Sequence, residues 1–187
     1  LVVHGQSGCG KTAIMAVAAK QLKEQQPNTA VVIRFLGTTS NSGSARAVLY
    51  SICQQITRVY GKDVNLVPHG YKELITYFQQ CMGYATADRP LTVFLDSLDQ
   101  LTNEDFGKNL KWLSLKDEIP TYSRVVVSTL PGQCLDVLDG FIRKESLIEV
   151  TNLSLTDGPE ILNKMLAASG RTLTEEQHKI VINAFNK

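Results

Sequence analysis

The chemistry of this sequence concentrates in eight consecutive residues, Gly5-Gln6-Ser7-Gly8-Cys9-Gly10-Lys11-Thr12. Their spacing is Gly-x-x-x-x-Gly-Lys-Ser/Thr, in which glycines let the backbone turn tightly enough for successive N–H groups to converge on phosphate oxygens. An amphipathic stretch follows at once, so these amides open a helix whose dipole adds a favourable field for an anion. Residues Gly5 to Ala13 are therefore expected to cradle a nucleotide's phosphates. Lys11 would reach the β- and γ-phosphates, and the Thr12 hydroxyl would ligate Mg2+.

A phosphate loop needs a carboxylate on the metal side. Leu91-Thr92-Val93-Phe94-Leu95-Asp96 is an apolar run ending in an acid, which places Asp96 where it can hold Mg2+ through water. Asp99 follows three residues later and is the candidate for orienting an attacking water. Ser128 and Thr129 close a fourth β-branched run. They either sense a γ-phosphate or bond to the backbone of their own turn. His4, just before the loop, reads as a strand-end residue.

These groups are positioned by an alternation of β-branched runs and amphipathic segments, the pattern of an α/β fold with a parallel sheet. Five strands are expected: Leu1–His4, Ala30–Leu36, Leu91–Asp96, Arg124–Thr129 and Leu147–Val150. Each is separated from the next by a helix. The first helix, Lys11 to about Gln26, should face the core with Ile14, Val17, Ala18 and Leu22. Ala45, Val48, Leu49, Ile52, Cys53, Ile56 and Val59 form the clearest apolar stripe, preceded by a Gly/Ser/Thr/Asn loop from Gly37 to Ser44. Further helices are expected around Leu74–Met82, around Phe106, Leu110 and Leu113, and around Leu135–Ile142. From Leu153 onward two helices follow without a strand, near Pro159–Ser169 and from Glu175 to the end. Thr174 with Gln177 forms a capping box, and Pro159 suits a first helical turn. The expected division is a core over residues 1–152 and the opening of a small helical subdomain over 153–187.

The 187 residues carry 19 Lys+Arg and 18 Asp+Glu, a net charge of +1, with 43% apolar and 20% charged residues. That is a globular composition, without the cationic surplus a nucleic-acid-gripping surface needs. Residues 1–60 are locally +5 and residues 61–120 locally −3. Cys9, Cys53, Cys81 and Cys134 show neither zinc spacing nor a disulfide framework, so free thiols in a reducing, cytoplasmic setting are expected. No apolar run approaches the roughly 18 residues of a membrane span, and none is expected. With Leu at position 1 and no signal-peptide pattern, the sequence reads as a segment of a longer protein.

The loop Gly5–Thr12, the stretch from Arg34-Phe35-Leu36-Gly37-Thr38-Thr39-Ser40 through Ser51-Ile52-Cys53-Gln54-Gln55-Ile56, and Phe94-Leu95-Asp96-Ser97-Leu98-Asp99 together resemble the NACHT-type signal-transduction P-loop NTPases. Within that group the chain is most similar to the NACHT and WD-repeat-containing proteins, and more distantly to nephrocystin and telomerase-associated members. The resemblance implies a five-stranded parallel sheet of order 5-1-4-3-2 and the start of a helical lid in Leu155–Phe185. It further implies ATP or ADP with Mg2+, slow hydrolysis, and a switch to an oligomerising ATP form, with protein partners held by domains outside this segment. Lys11, Thr12, Asp96 and Asp99 fall on the family's motif positions. The sequence departs from many members in having no Arg after Ser128-Thr129-Leu130-Pro131.

Three other readings compete. A small-molecule or nucleoside kinase uses the same loop, but Arg46, Arg58 and Arg89 read better as solvated charges than as lid arginines. A GTPase lacks support because no Asn-Lys-x-Asp base-reading motif occurs. A scaffold that binds nucleotide with negligible turnover remains open.

Overall fold

The structure, a computed structural model, describes residues 1–39, 42–113, 119–152, 154 and 157–185. Strands β1 (Val2–His4), β2 (Ala30–Phe35), β3 (Leu91–Asp96), β4 (Ser123–Thr129) and β5 (Leu147–Glu149) form one sheet. Every pairing is parallel and the order is β2-β3-β4-β1-β5, the expected 5-1-4-3-2 read from the other edge. β3 lies inside the sheet with all six residues buried, which explains why its sequence is apolar without alternation until Asp96.

Period-two alternation sorts the strand side chains onto two faces. Val2, Val32, Leu91, Val93, Leu95, Val125 and Val127 point to one cluster, where helices α2 (Ala45–Val59), α3 (Tyr71–Met82) and α4 (Gln133–Asp139) cover them. Val3, Phe94 and the half-buried Val31, Ile33 and Val126 point to the other, covered by α1 (Lys11–Gln25) through Met15 and Ala19. Leu49, Ile52 and Ile56 of the α2 stripe are fully buried, each contributing roughly 1.5–3 kcal/mol of transfer free energy.

Two expectations need correction. The buried residues of α1 are Lys11, Met15 and Ala19; of the expected face, Ala18 and Leu22 do pack half-buried against this cluster, whereas Ile14 and Val17 are 43% and 52% exposed. The loop before the helix fixes its rotation: once Lys11 is turned inward at 8% exposure, four-residue steps from it select Met15 and Ala19. The helix expected around Phe106, Leu110 and Leu113 is instead two 3-10 segments, Glu104–Asn109 and Lys111–Leu113. Leu110 breaks them with φ 51°. This break lets Leu110, Trp112 and Leu113 all point inward, with the Trp112 indole N–H donating to the Gly107 carbonyl at 3.0 Å. No α-helix therefore separates β3 from β4 among the described residues.

The chain divides into two compact units, Leu1–Val150 and Thr151–Lys187. The second contains α5 (Asp157–Ala168) and α6 (Glu175–Phe185). The capping box starts α6: the Gln177 N–H donates to Thr174 Oγ1 at 3.3 Å, and the Thr174 N–H donates to Gln177 Oε1 at 3.1 Å. Ser40 of the loop motif, the Leu153 boundary, Leu155 and the final residues 186–187 lie outside the described residues.

Candidate functional site

The loop from Gly5 to Gly10 leaves β1 and ends as the cap of α1, with Gly10 in the left-handed region at φ 97°. Helix geometry leaves the first amides of α1 without intrahelical acceptors, and no acid occupies that first turn to compete for them. Gly8, also left-handed at φ 82°, and Gly10 have no protein atom within 4 Å of where a Cβ would sit, so this face of the loop is open to a ligand. Gly5 is the reverse. A Cβ there would lie 2.2 Å from the Val150 carbonyl oxygen and 2.9 Å from Cys9 Sγ, so the loop is seated directly on the chain leaving β5.

Lys11 runs beneath this loop. Its Nζ donates to the carbonyls of Gly5 and Gln6, both at 2.8 Å, and lies 3.7 Å from the buried Cys9 thiol. Thr12 sits on the rim, where its Oγ1 donates to Asp96 Oδ2 at 2.7 Å. Sheet alternation explains the meeting. Phe94 and Asp96 share the α1 face of β3, as Val126 and Ser128 share that face of β4. Both polar side chains thus arrive beside the first turn of α1.

Asp96 is 2% exposed, and each of its oxygens has a hydroxyl donor. Ser128 Oγ donates to Oδ1 at 2.5 Å, opposite the Thr12 bond to Oδ2, and the Ser97 hydroxyl lies 3.4 Å from Oδ2. Ser97 follows in a left-handed conformation, φ 65° and ψ 57°, uncommon for a residue with a side chain. Asp99 reaches the same cleft from the turn Leu98–Gln100, its Oδ1 accepting from the Leu130 N–H at 3.0 Å and its Oδ2 from Gln100 Nε2 at 2.7 Å. Each oxygen keeps acceptor capacity beyond these bonds.

The cleft beside these groups has a volume of about 610 Å³, which suits a nucleotide-sized ligand, and Asp96 lies just behind its wall, reached through Thr12. Ser7, Gly8, Gly10, Lys11, Thr12, Ala13 and Asp99 line it as the sequence suggests. Ala16, Phe35, Ser97, Gln100 and Leu130 complete the wall; Phe35, Ser97 and Leu130 lie within stretches named above but are not among the expected site residues, and Ala16 and Gln100 lie in none. Phe35 is there because β2 pairs with β3 in a register that sets it beside Asp96. Ser128 and Thr129 are not on the wall: both are fully buried. Thr129 points to the opposite face of β4 from Ser128, and its hydroxyl donates to the Leu130 carbonyl at 3.2 Å. Another cleft, of about 480 Å³, borders Lys23, Thr29 and Arg89 at the far end of β2, but it contains none of the loop residues.

The oxygen donors fit Mg2+. Thr12 Oγ1 and Asp96 Oδ2 are hard ligands already 2.7 Å apart at the mouth of the loop. The described residues form no cluster of three or more His, Cys, Asp or Glu able to cage an ion. Mg2+ characteristically uses one or two carboxylates together with water and substrate phosphates, so this sparse donor set suits it.

Residues 1–169 match the family model of the NACHT domain. The chain is 32% identical over 197 residues to NACHT and WD repeat domain-containing protein 2 of Mus musculus, covering 100% of this chain and 11% of that protein. It is 31% identical over 183 residues to NACHT domain- and WD repeat-containing protein 1 of Homo sapiens, covering 93% and 12%. The chain therefore spans about a tenth of the length of these curated relatives. Among solved structures, Cdc6p from Pyrobaculum aerophilum superposes with a TM-score of 0.61 at 17% identity, over 89% of this chain and 42% of that one. AMPPCP-bound DnaA from Aquifex aeolicus gives 0.54 at 13% identity, over 97% and 49%. At such identities the likeness is one of fold, that of P-loop ATPase domains.

Proposed function

The chain belongs to the NACHT family of P-loop NTPases, and from that membership we propose that it binds ATP or ADP with Mg2+ and acts as a conformational and oligomerisation switch that hydrolyses ATP slowly. The observation that carries the reading is the 2.7 Å contact between Thr12 and Asp96, which joins the phosphate loop to the metal-side strand above an inward-turned Lys11. Lys11, its amine held at the Gly5 and Gln6 carbonyls, takes phosphate charge. Thr12 and, through water, Asp96 would hold Mg2+, which when bound would screen the charge on the β- and γ-phosphates. Asp99 orients water from the opposite wall.

A γ-phosphate held by Lys11 and the first amides of α1 would bear on that segment and on the loop after β3, and so would bias both, as a switch requires. Residues 1–152 supply the NTPase core and 153–187 begin the lid. Self-association of the ATP form and protein partners belong to the full-length molecule, as the WD repeats named in its relatives suggest. The cognate ligand is a mononucleotide: the near-neutral charge offers little for a polynucleotide, although some proteins of similar fold have been solved with DNA. All four cysteines are free and buried, which supports a reducing, cytoplasmic setting. No helix among the described residues is long and apolar enough to cross a membrane.

Competition binding on the full-length protein tests the nucleotide: ATP is expected to displace a labelled ATP analogue at lower concentration than GTP does. Phosphate release without any acceptor separates the switch from a kinase, which would depend on one. Asp99→Asn keeps an acceptor for the Leu130 N–H but loses the negative charge. Phosphate release is expected to fall by about a hundredfold or more, a far larger change than in ATP affinity. Unchanged release would move the protein to the reading in which nucleotide is bound and scarcely turned over.

A further inference from the structure

Ser128 is fully buried, and the directions of its hydrogen bonds are forced. The Ser97 N–H, 2.8 Å away, can only donate, so Ser128 Oγ must accept there. Its single proton then goes to Asp96 Oδ1 at 2.5 Å. With that proton committed to a carboxylate, the hydroxyl has none to offer a phosphate, and its side chain is not on the cleft wall. The γ-phosphate-sensing role considered for Ser128 is therefore replaced by a different one.

We infer that Ser128 is a positioning residue that fixes the rotation of the Asp96 carboxylate, tethering Oδ1 in the interior so that Oδ2 alone faces Thr12 and the metal. The inference rests on the proposed Mg2+–nucleotide reading and deepens it. Two consequences follow from the contacts of Ser128, and a separate bond supports them. Asp96 presents one oxygen in one orientation instead of rotating between a chelating and a single-oxygen geometry. The same hydroxyl holds the Ser97 amide, and so the left-handed turn that directs the chain toward Asp99. The Leu130 N–H bond to Asp99 Oδ1 forms a second cross-link between the ends of β3 and β4. The metal carboxylate and the candidate water-orienting carboxylate are thus both referenced to β4, which joins β3 to the phosphate-loop strand β1.

The test is the ratio of nucleotide affinities measured in Mg2+ and in EDTA for the full-length protein, by titration calorimetry with ADP and with ATP. Partners behind a metal ligand commonly govern metal affinity by about 10- to 100-fold. Ser128→Ala is expected to reduce the Mg2+/EDTA affinity ratio by about tenfold or more. Ser128→Thr, which keeps the hydroxyl, is expected to restore most of it. A ratio in Ser128→Ala equal to that of the unmodified protein overturns the inference. So does a loss of affinity that is equal with and without Mg2+, since that marks a merely structural or a direct phosphate role. If Ser128→Ala does not fold, Ser128→Cys, close in size but a weak donor, decides by the same ratio. An unmodified protein that binds nucleotide no better in Mg2+ than in EDTA removes the metal reading, and this inference with it. A normal ratio there with no effect at Ser128 removes this inference only.

Discussion

Lys11→Ala is expected to weaken ATP binding by about a hundredfold to a thousandfold. A charge-assisted hydrogen bond contributes about 1.5–3 kcal/mol, and an ammonium placed to reach both β- and γ-phosphates makes two of them. The placement is already prepared in the structure, because the side chain is 8% exposed and its amine is held at the Gly5 and Gln6 carbonyls beneath the loop. Those bonds also tie down the loop, so the variant should melt somewhat earlier. A melting curve measured beside the binding titration separates the two effects. Equal ATP affinity in a folded Lys11→Ala protein would sink the nucleotide-site reading.

Gly5→Ala should do more damage to the fold than any other single change in the loop. The added methyl meets the Val150 carbonyl oxygen at 2.2 Å, and that segment cannot retreat freely because the Val150 N–H donates to the His4 carbonyl at 2.7 Å. The opposite side of the new methyl meets Cys9 Sγ at 2.9 Å. Relieving this requires shifting the chain beyond β5 or lifting the loop, at a cost of about 3 kcal/mol or more. For a domain of this size that is a fall in Tm of about 6–12 °C. Gly8→Ala supplies the contrast. Its methyl meets nothing within 4 Å, so only the left-handed backbone at φ 82° is strained, at about 1–2 kcal/mol. Its larger effect should fall on nucleotide affinity, since the methyl projects into the open face of the loop. A Gly8→Ala protein that melts below Gly5→Ala would contradict this seating of the loop.

Much of the architecture was readable because local chemistry and global fold agree. The loop's glycines, Lys11 and Thr12 are contiguous, so their spacing is preserved however the chain packs. The Leu91–Asp96 strand and the α2 stripe were equally plain, since each buries one continuous apolar pattern. On α1, Ala18 and Leu22 meet the core as expected, but Ile14 and Val17 do not, although they are more hydrophobic than Ala19. Hydrophobicity favoured them, whereas the geometric demand that Lys11 face inward set the rotation. The segment after Asp99 was misread as a helix because Phe106, Leu110 and Leu113 approximate helical spacing. The close approach of Gly107 to the Thr102 carbonyl, 2.7 Å from a would-be Cβ, and the left-handed Leu110 depend on packing partners elsewhere in the chain.

By itself the sequence determined that a Gly-x-x-x-x-Gly-Lys-Thr loop links the first strand to the first helix, that an apolar strand ends in Asp96, and that five strands alternate with helical connections in most places. These are properties of contiguous residues. Only the tertiary structure decided that Asp96 Oδ2 meets Thr12 across 84 positions, that Phe35 walls the cleft, and that Ser128 serves Asp96 while its neighbour Thr129 faces away. Those outcomes follow from sheet order and register, which set which side chains share a face and which oxygen each hydroxyl can reach. Strand pairing is long-range, so no window along the chain contains it.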